Sequence, residues 1–490
     1  VSLSPSPLHG AGPHPPADGG RATSSDRRPD LVAAGAAALF FLVMAGIGAW
    51  LQRDSYLLKS PWPPLEAWWR PHAGPGTPLA VIVAVLVIGY GPGLAARLSW
   101  RGLLWSAWAT AMAWTWSLAL VDGWQRGIAG RLTVSGEYLT EISRFRDAGP
   151  AVRTFTDHIL ADSPDHHWAT HVAGHPVGAV LTYVGLDRIG LGGGAVASAF
   201  TITVGTSLAL AVLLTLRLLT GEERARAAAP FLVLTPGAVW VGVSADGYFA
   251  AVAAWALALL AIAATRASRW GTAVAGLGSG VLFGAAAYLS YGLALLVVPG
   301  LVILLCARTA RPVPYMLAGA AAVVAAFTAA GFDWWEAYGL LKTRYYQGYG
   351  GVRPYSYWFF GDLATVVVSA GLASVAGLRR TLAAVPGGVR AWWTGGNRAP
   401  VQTGRALGAR WQRGDRQAVA SVLLPLGFLL AMLAADLSGM SKAETERIWL
   451  PFTLWLPATA ALLPRRDHRA WLAAQAIVAL LVNHLLLTGW

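Results

Sequence analysis

The chain has 490 residues, 56% of them hydrophobic and only 12% charged, and its mean hydropathy is +0.51. Soluble domains carry about 25% charge, so this composition excludes an ordinary soluble enzyme and predicts an all-α polytopic membrane protein. The net charge of +13 does not require nucleic acid as a partner, because Lys and Arg collect in the cytoplasmic loops of membrane proteins.

Apolar runs of the roughly 17–25 residues needed to cross a bilayer recur along the sequence. They are continuous rather than alternating, unlike the strands of a β-barrel. The single cysteine, Cys306, leaves this sequence without an internal disulfide or a Cys-ligated metal.

In chain order, residues 1–30 are rich in Pro, Ser and Gly and read as a disordered cytoplasmic tail. Residues 31–490 read as a single transmembrane domain. Its first span is Leu31–Leu51, too long for a signal-peptide core and lacking a cleavage site. Further spans are expected at 79–96, 102–121, 195–217, 229–244, 247–265, 270–287, 289–306, 313–331, 362–378, 418–435, 448–463 and 470–488, about 13 transmembrane helices in all. The run 176–191 is short and Gly-broken and reads as a helix lying at the membrane surface.

A cytoplasmic N-terminus places segments 97–101, 217–228, 266–269, 308–311, 379–417 and 464–469 inside, where most Lys and Arg then fall. The basic cytoplasmic loop 379–417 reads as a positive-inside segment. Most acids fall on the opposite side, and the expected location is the plasma membrane with the chemistry on its outer face. No internal repeat of the kind built into inverted-repeat transporters stands out.

Four polar elements share the outer side. The first is the loop 122–194, whose polar run 122–178 gathers five of the ten histidines, His158, His166, His167, His171 and His175. Glu137 and Glu141 are four residues apart, which on an α-helix puts both on one face, as a base and its partner, as cation ligands, or as a solvated face balanced by Arg144 and Arg146. His171 and His175 have the same spacing, but Gly174 and Pro176 oppose a regular helix and no HExxH motif is present. They are expected to position phosphate or sugar rather than zinc.

The second element is Ser244–Tyr248, with Asp246. The third is the aromatic loop 332–361, with Lys342, Arg344 and Arg353. The fourth is 436–450, where Lys442, Glu444, Glu446 and Arg447 precede an apolar run. Arg447 is expected at the membrane lip, where a guanidinium can fork a phosphate.

The pair Glu137-Tyr138 in a large early loop, the downstream His-Val-Ala-Gly-His-Pro at 171–176 and the late Glu-Arg-Ile-Trp-Leu-Pro at 446–451 together resemble the GT-C superfamily of membrane glycosyltransferases. The similarity is to its protein-mannosyltransferase-like and actinobacterial arabinosyl- or mannosyltransferase-like branches. The resemblance implies inverting transfer of a sugar from a polyprenyl-phosphate donor to a hydroxyl of a glycan, lipid or protein acceptor.

It also implies Glu137 as catalytic base, although Gly136 stands where such families carry the first acid of a pair, so Asp122 is the reserve base. His171, His175, Lys442, Arg447 and Arg344 would meet donor phosphate or sugar, with Tyr138, Glu141, Asp246 and Glu446 in support. No metal is required, and a divalent cation, Mg or Mn, is compatible with the carboxylates. The rivals are a transporter or flippase of lipid-linked saccharide, and a non-catalytic envelope-assembly scaffold.

Overall fold

The computed structural model describes residues 27–394 and 405–489, and it is predominantly helical with almost no sheet. Among those residues the one sheet is a short antiparallel ribbon, Ala67–Trp69 against Leu486–Thr488, with Trp68 opposite Leu487. Six helices are long and apolar enough to cross a membrane: Arg27–Leu51, Thr77–Arg97, Gly194–Leu219, Ala245–Thr265, Arg269–Leu289 and Arg416–Leu437. Two bent pairs, Val313–Ala329 with Trp334–Gln347 (76°) and Tyr355–Ala370 with Leu372–Val385 (106°), bring the number to eight if each is one span.

The other expected spans differ for local reasons. The 229–244 run breaks after Val233 into the four-residue helix Ala238–Val241, around Pro236 and Gly237. The 289–306 and 448–463 runs become the shorter apolar helices Tyr291–Ala307 and Leu450–Leu462. Helices Trp100–Ala119 and His468–Leu485 have the length, but polar and indole side chains dilute them. Of the expected tail, residues 1–26 lie outside the described residues, while Arg27–Asp30 already form the first turn of a helix. The expected loop 379–417 is helical as far as Thr394 and again from Arg405.

The Ala245–Thr265 helix is the centre of the bundle, its apolar stretch 72% buried against 17% for Arg27–Leu51. Ten of its residues are Ala, and these small side chains let neighbours approach from every side. Helices Arg269–Leu289 and Val313–Ala329 are joined as closely: a Cβ at Gly280 would strike the Met316 carbonyl, and one at Gly319 the Leu277 carbonyl.

Polar groups collect at two opposite ends. At one, Arg226 bonds Glu222 and the carbonyls of Ala95 and Leu98, Arg465 pairs with Glu223, and Asp30 pairs with Arg379 and Arg380. Helix Thr77–Arg97 arrives at that end after about 30 Å at 1.5 Å per residue, and Trp100–Ala119 returns from it to the other end. That second end carries the acids considered next.

Candidate functional site

Gly136, at φ +101°, turns the chain so that Glu137 leaves in extended conformation ahead of the 3-10 helix Tyr138–Phe145. The backbone is pinned there by the His171 N–H, which donates to the Gly136 carbonyl at 2.9 Å. Glu137 is 4% exposed, and its Oε1 lies 3.1 Å from His171 Nδ1. On the other side of the ring, Nε2 lies 3.0 Å from Arg447 Nη2. A guanidinium can only donate, so Nε2 accepts and the proton sits on Nδ1, directed at Glu137.

Arg447 is itself held by carboxylates. Its Nη1 bonds Asp246 Oδ2 and its Nη2 bonds Glu444 Oε2, each at 2.6 Å. One guanidinium thus ties together the first loop, the N-terminus of the central helix and the 436–450 segment. Burial opposes ionisation of Glu137, but His171, with Arg447 and Arg131 behind it, holds its carboxyl below the ordinary carboxylate range. Glu444 is drawn down to about 2, because Arg447 and then Arg353 outweigh its burial.

The backbone that presents these groups is strained. Ala443 and Glu444 are consecutive non-glycine residues at φ +71° and +63°, a conformation costing on the order of 1–3 kcal/mol per residue. Asp362 holds the turn, accepting from Ala443 N at 3.0 Å and Thr445 Oγ1 at 3.3 Å. Arg353 holds it from outside, donating to the carbonyls of Lys442 and Lys59 at 2.9 and 2.8 Å. The same guanidinium lies 3.4 Å from Glu66 and 3.6 Å from Glu444.

Glu446 points away from Arg447. Its Oε1 accepts from Glu66 N at 2.9 Å, and its buried Oε2 has no hydrogen-bond partner. Burial, with Glu444 adding to it, pushes the Glu446 carboxyl up to about 7 and that of Glu66 to about 8. A protonated oxygen is the form that a water-free environment favours at Glu446.

The structure therefore brings Glu137, Tyr138, His171, His175, Asp246, Glu446 and Arg447 into one neighbourhood and sets four expectations right. Glu137 and Glu141 share no helix face, because Glu137 precedes a 3-10 helix with its tighter turn. Glu141 instead accepts from Ala169 N and pairs with Arg144. Arg447 is not at a lip open to phosphate: it is 5% exposed, and its two terminal nitrogens are already bonded. Lys442 does not reach across to it, because its Nζ donates to the Gly350 carbonyl at 2.7 Å. His175 packs edge-on with Tyr138 and bonds the His171 carbonyl through Nδ1, and burial pushes its imidazole down to about 4, so it is neutral.

Asp122 stands apart, bonded to His72 Nε2 at 2.7 Å and paired with Arg126 at 3.3 Å. Among the described residues no three His, Cys, Asp or Glu side chains are grouped to hold a metal ion. The carboxylates proposed as cation ligands, Glu137 and Glu141, face different partners.

Spacing gives no role to Glu66, His72, Arg131, Arg353 or Glu444. Glu66 left one trace, as a lone acid in the Pro- and Trp-rich link Trp62–Trp69.

Beside Glu137 a polar cleft of about 510 Å³ opens between segments 135–141 and 167–170. Arg344 reaches it from the Trp334–Gln347 helix, which Gln347 fastens to the first loop by bonds to Asp162 and Ala161 N. No family model matches the chain, and neither does any curated protein or solved structure.

Proposed function

We propose that this chain is a GT-C-type glycosyltransferase of the plasma membrane, with about 13 membrane segments when Trp100–Ala119, His468–Leu485 and the broken segment 222–241 are counted with the long, short and bent apolar helices. It moves a sugar from a polyprenyl-phosphate donor to an acceptor hydroxyl on the outer face. The observation that carries this reading is the buried Glu137 carboxylate, kept ionised by His171 and Arg447 and next in the chain to Gly136 of a polar cleft.

A sugar hydroxyl is a weak nucleophile, and a fixed carboxylate that takes its proton as the new C–O bond forms lowers the barrier by about 10²–10⁴-fold in rate. The anomeric bond to the lipid phosphate breaks in the same step, and the phosphate leaves with the bonding electron pair. His171 fixes the carboxylate, while Arg447 and Asp246 fix His171. Positioning of this kind is worth most in a site that excludes water.

The test is to incubate the purified protein in detergent with a panel of polyprenyl-phosphate sugars and follow sugar transfer. Transfer by the native chain, lost in Glu137→Gln, is expected. Full activity in both Glu137→Gln and Asp122→Asn would sink the assignment.

A transporter or flippase of lipid-linked saccharide is the second reading. It is favoured by Asp362, an acid buried within the Tyr355–Ala370 helix, of the kind that marks substrate or ion pathways in membranes. Saccharide uptake into vesicles without turnover of any donor would select it.

A further inference from the structure

Arg344 is a half-buried guanidinium at the wall of the 510 Å³ cleft, and no hydrogen bond or ion pair engages it among the described residues. Every other arginine of the site is committed: Arg447 to Asp246, Glu444 and His171, and Arg353 to two carbonyls and two carboxylates. A guanidinium withdrawn from water without a partner is costly, and it is the group best shaped to fork a carboxylate or phosphate.

The rest of the lining indicates what carries the anion. Ser135 and Thr170 offer hydroxyls, Thr140 offers a hydroxyl oxygen as acceptor while donating its proton to the Glu137 carbonyl at 2.6 Å, and His167 adds a ring with two nitrogens. Glu141 also lines the cleft, but its charge is met by Arg144 at 2.9 Å. The only apolar side chains in the lining are Ala169 and Trp168, too little to receive a prenyl tail. The ligand is therefore a water-soluble, hydroxyl-rich anion and not the lipid donor. The cleft adjoins the reacting carboxylate through the chain itself, since Gly136 precedes Glu137 and Thr170 precedes His171.

We infer that the cleft is an acceptor subsite for a saccharide bearing a carboxylate or phosphate, with Arg344 pairing the anion and the three hydroxyls meeting the sugar ring. Assignment of the bound saccharide as acceptor rests on the glycosyltransferase reading, whereas the binding site does not.

The experiment is calorimetric titration of the full chain in detergent with glucose 6-phosphate, glucuronate, glucose and inorganic phosphate. Either charged sugar should bind at least about tenfold tighter than glucose, the margin of one charge-assisted fork. Arg344→Gln should abolish that preference, and Arg344→Lys should keep part of it, with thermal midpoints unchanged in both. Equal binding of charged and neutral sugars, or an Arg344→Gln variant that keeps the preference, overturns the site. Inorganic phosphate binding as tightly as glucose 6-phosphate overturns the saccharide.

Two further outcomes separate this inference from the reading it rests on. No transfer from any donor, with charged-sugar binding intact, removes the enzyme and leaves the site. Transfer to a charged acceptor undiminished in Arg344→Gln removes the acceptor role alone.

Discussion

Asp246, Glu444 and His171 all close on the Arg447 guanidinium, with Glu137 one ring further out. A buried carboxylate, a half-buried one and a histidine would be left facing one another without it. Removing one member of a buried ion pair costs about 3–5 kcal/mol, so Arg447→Gln should lower the chemical-denaturation midpoint by a corresponding amount. Glu137→Gln should cost little stability, because the amide keeps an acceptor for His171, while transfer falls by about 10²-fold or more. Stability and turnover measured on both variants separate the structural cation from the carboxylate proposed as base.

Glu446 and Glu66 give the folded protein a pH response of opposite sign to that of Glu444. Folded, they hold protons up to about pH 7 and about pH 8, whereas an unfolded glutamate loses its proton near about 4.3. Their contribution to stability is thus complete below about pH 4 and is lost as pH rises through the folded values. Glu444, drawn down to about 2, contributes above the unfolded value and loses that contribution as pH falls toward 2. Thermal midpoints should decline from pH 5 to pH 8, and Glu446→Gln, neutral at every pH, should flatten the decline by on the order of 1 kcal/mol.

At the scale of elements, close helix contact and cross-element hydrogen bonds hold the frame of the site. The Arg269–Leu289 and Val313–Ala329 helices meet where Gly280 and Gly319 remove side chains from the interface, an arrangement suited to a membrane, where close packing replaces the hydrophobic drive. Gly280→Leu would collide with the Met316 backbone, and overpacking of this kind costs about 1–3 kcal/mol or more. Its thermal midpoint should drop several degrees, whereas Gly278→Leu, one turn-face away and opposite only the Leu259 side chain, should change less.

Much of the element pattern was legible in the sequence. Expected spans at 31–51, 79–96, 195–217, 247–265, 270–287 and 418–435 coincide with the six long apolar helices, because an uninterrupted apolar run leaves the backbone few alternatives to a helix in lipid. The aromatic segment 332–361 was not legible as structure: it folds into helices Trp334–Gln347, Tyr349–Val352 and the start of Tyr355–Ala370. Its polar and aromatic residues mask helical periodicity, and its partners lie far away in the chain, such as Asp162 for Gln347.

Across the whole molecule, basic groups gather at one end of the bundle and the carboxylate site at the other. If the carboxylate end faces outward, as proposed, then Thr140→Cys should react with a membrane-impermeant maleimide in intact cells and Arg465→Cys should not. Cys306 is buried and supplies little background. The reverse labelling pattern would invert the proposed orientation.

The sequence by itself determined that the chain is helical and apolar enough for a membrane, and that its titratable groups are sorted into a few short segments. These follow from composition and run length, which act locally. It also singled out Glu137, His171, Asp246 and Arg447 as separate candidates. Only the tertiary structure decided that these form one chain of hydrogen bonds, and that Arg447 anchors the site from within instead of waiting at its lip. It alone brought Glu66 and Arg353 beside the 443–447 turn and left Arg344 as the uncommitted cation of the cleft. Those facts depend on which distant segments meet, and contacts across more than 200 positions of chain, such as Arg447 with Asp246, have no periodicity or spacing from which to read them.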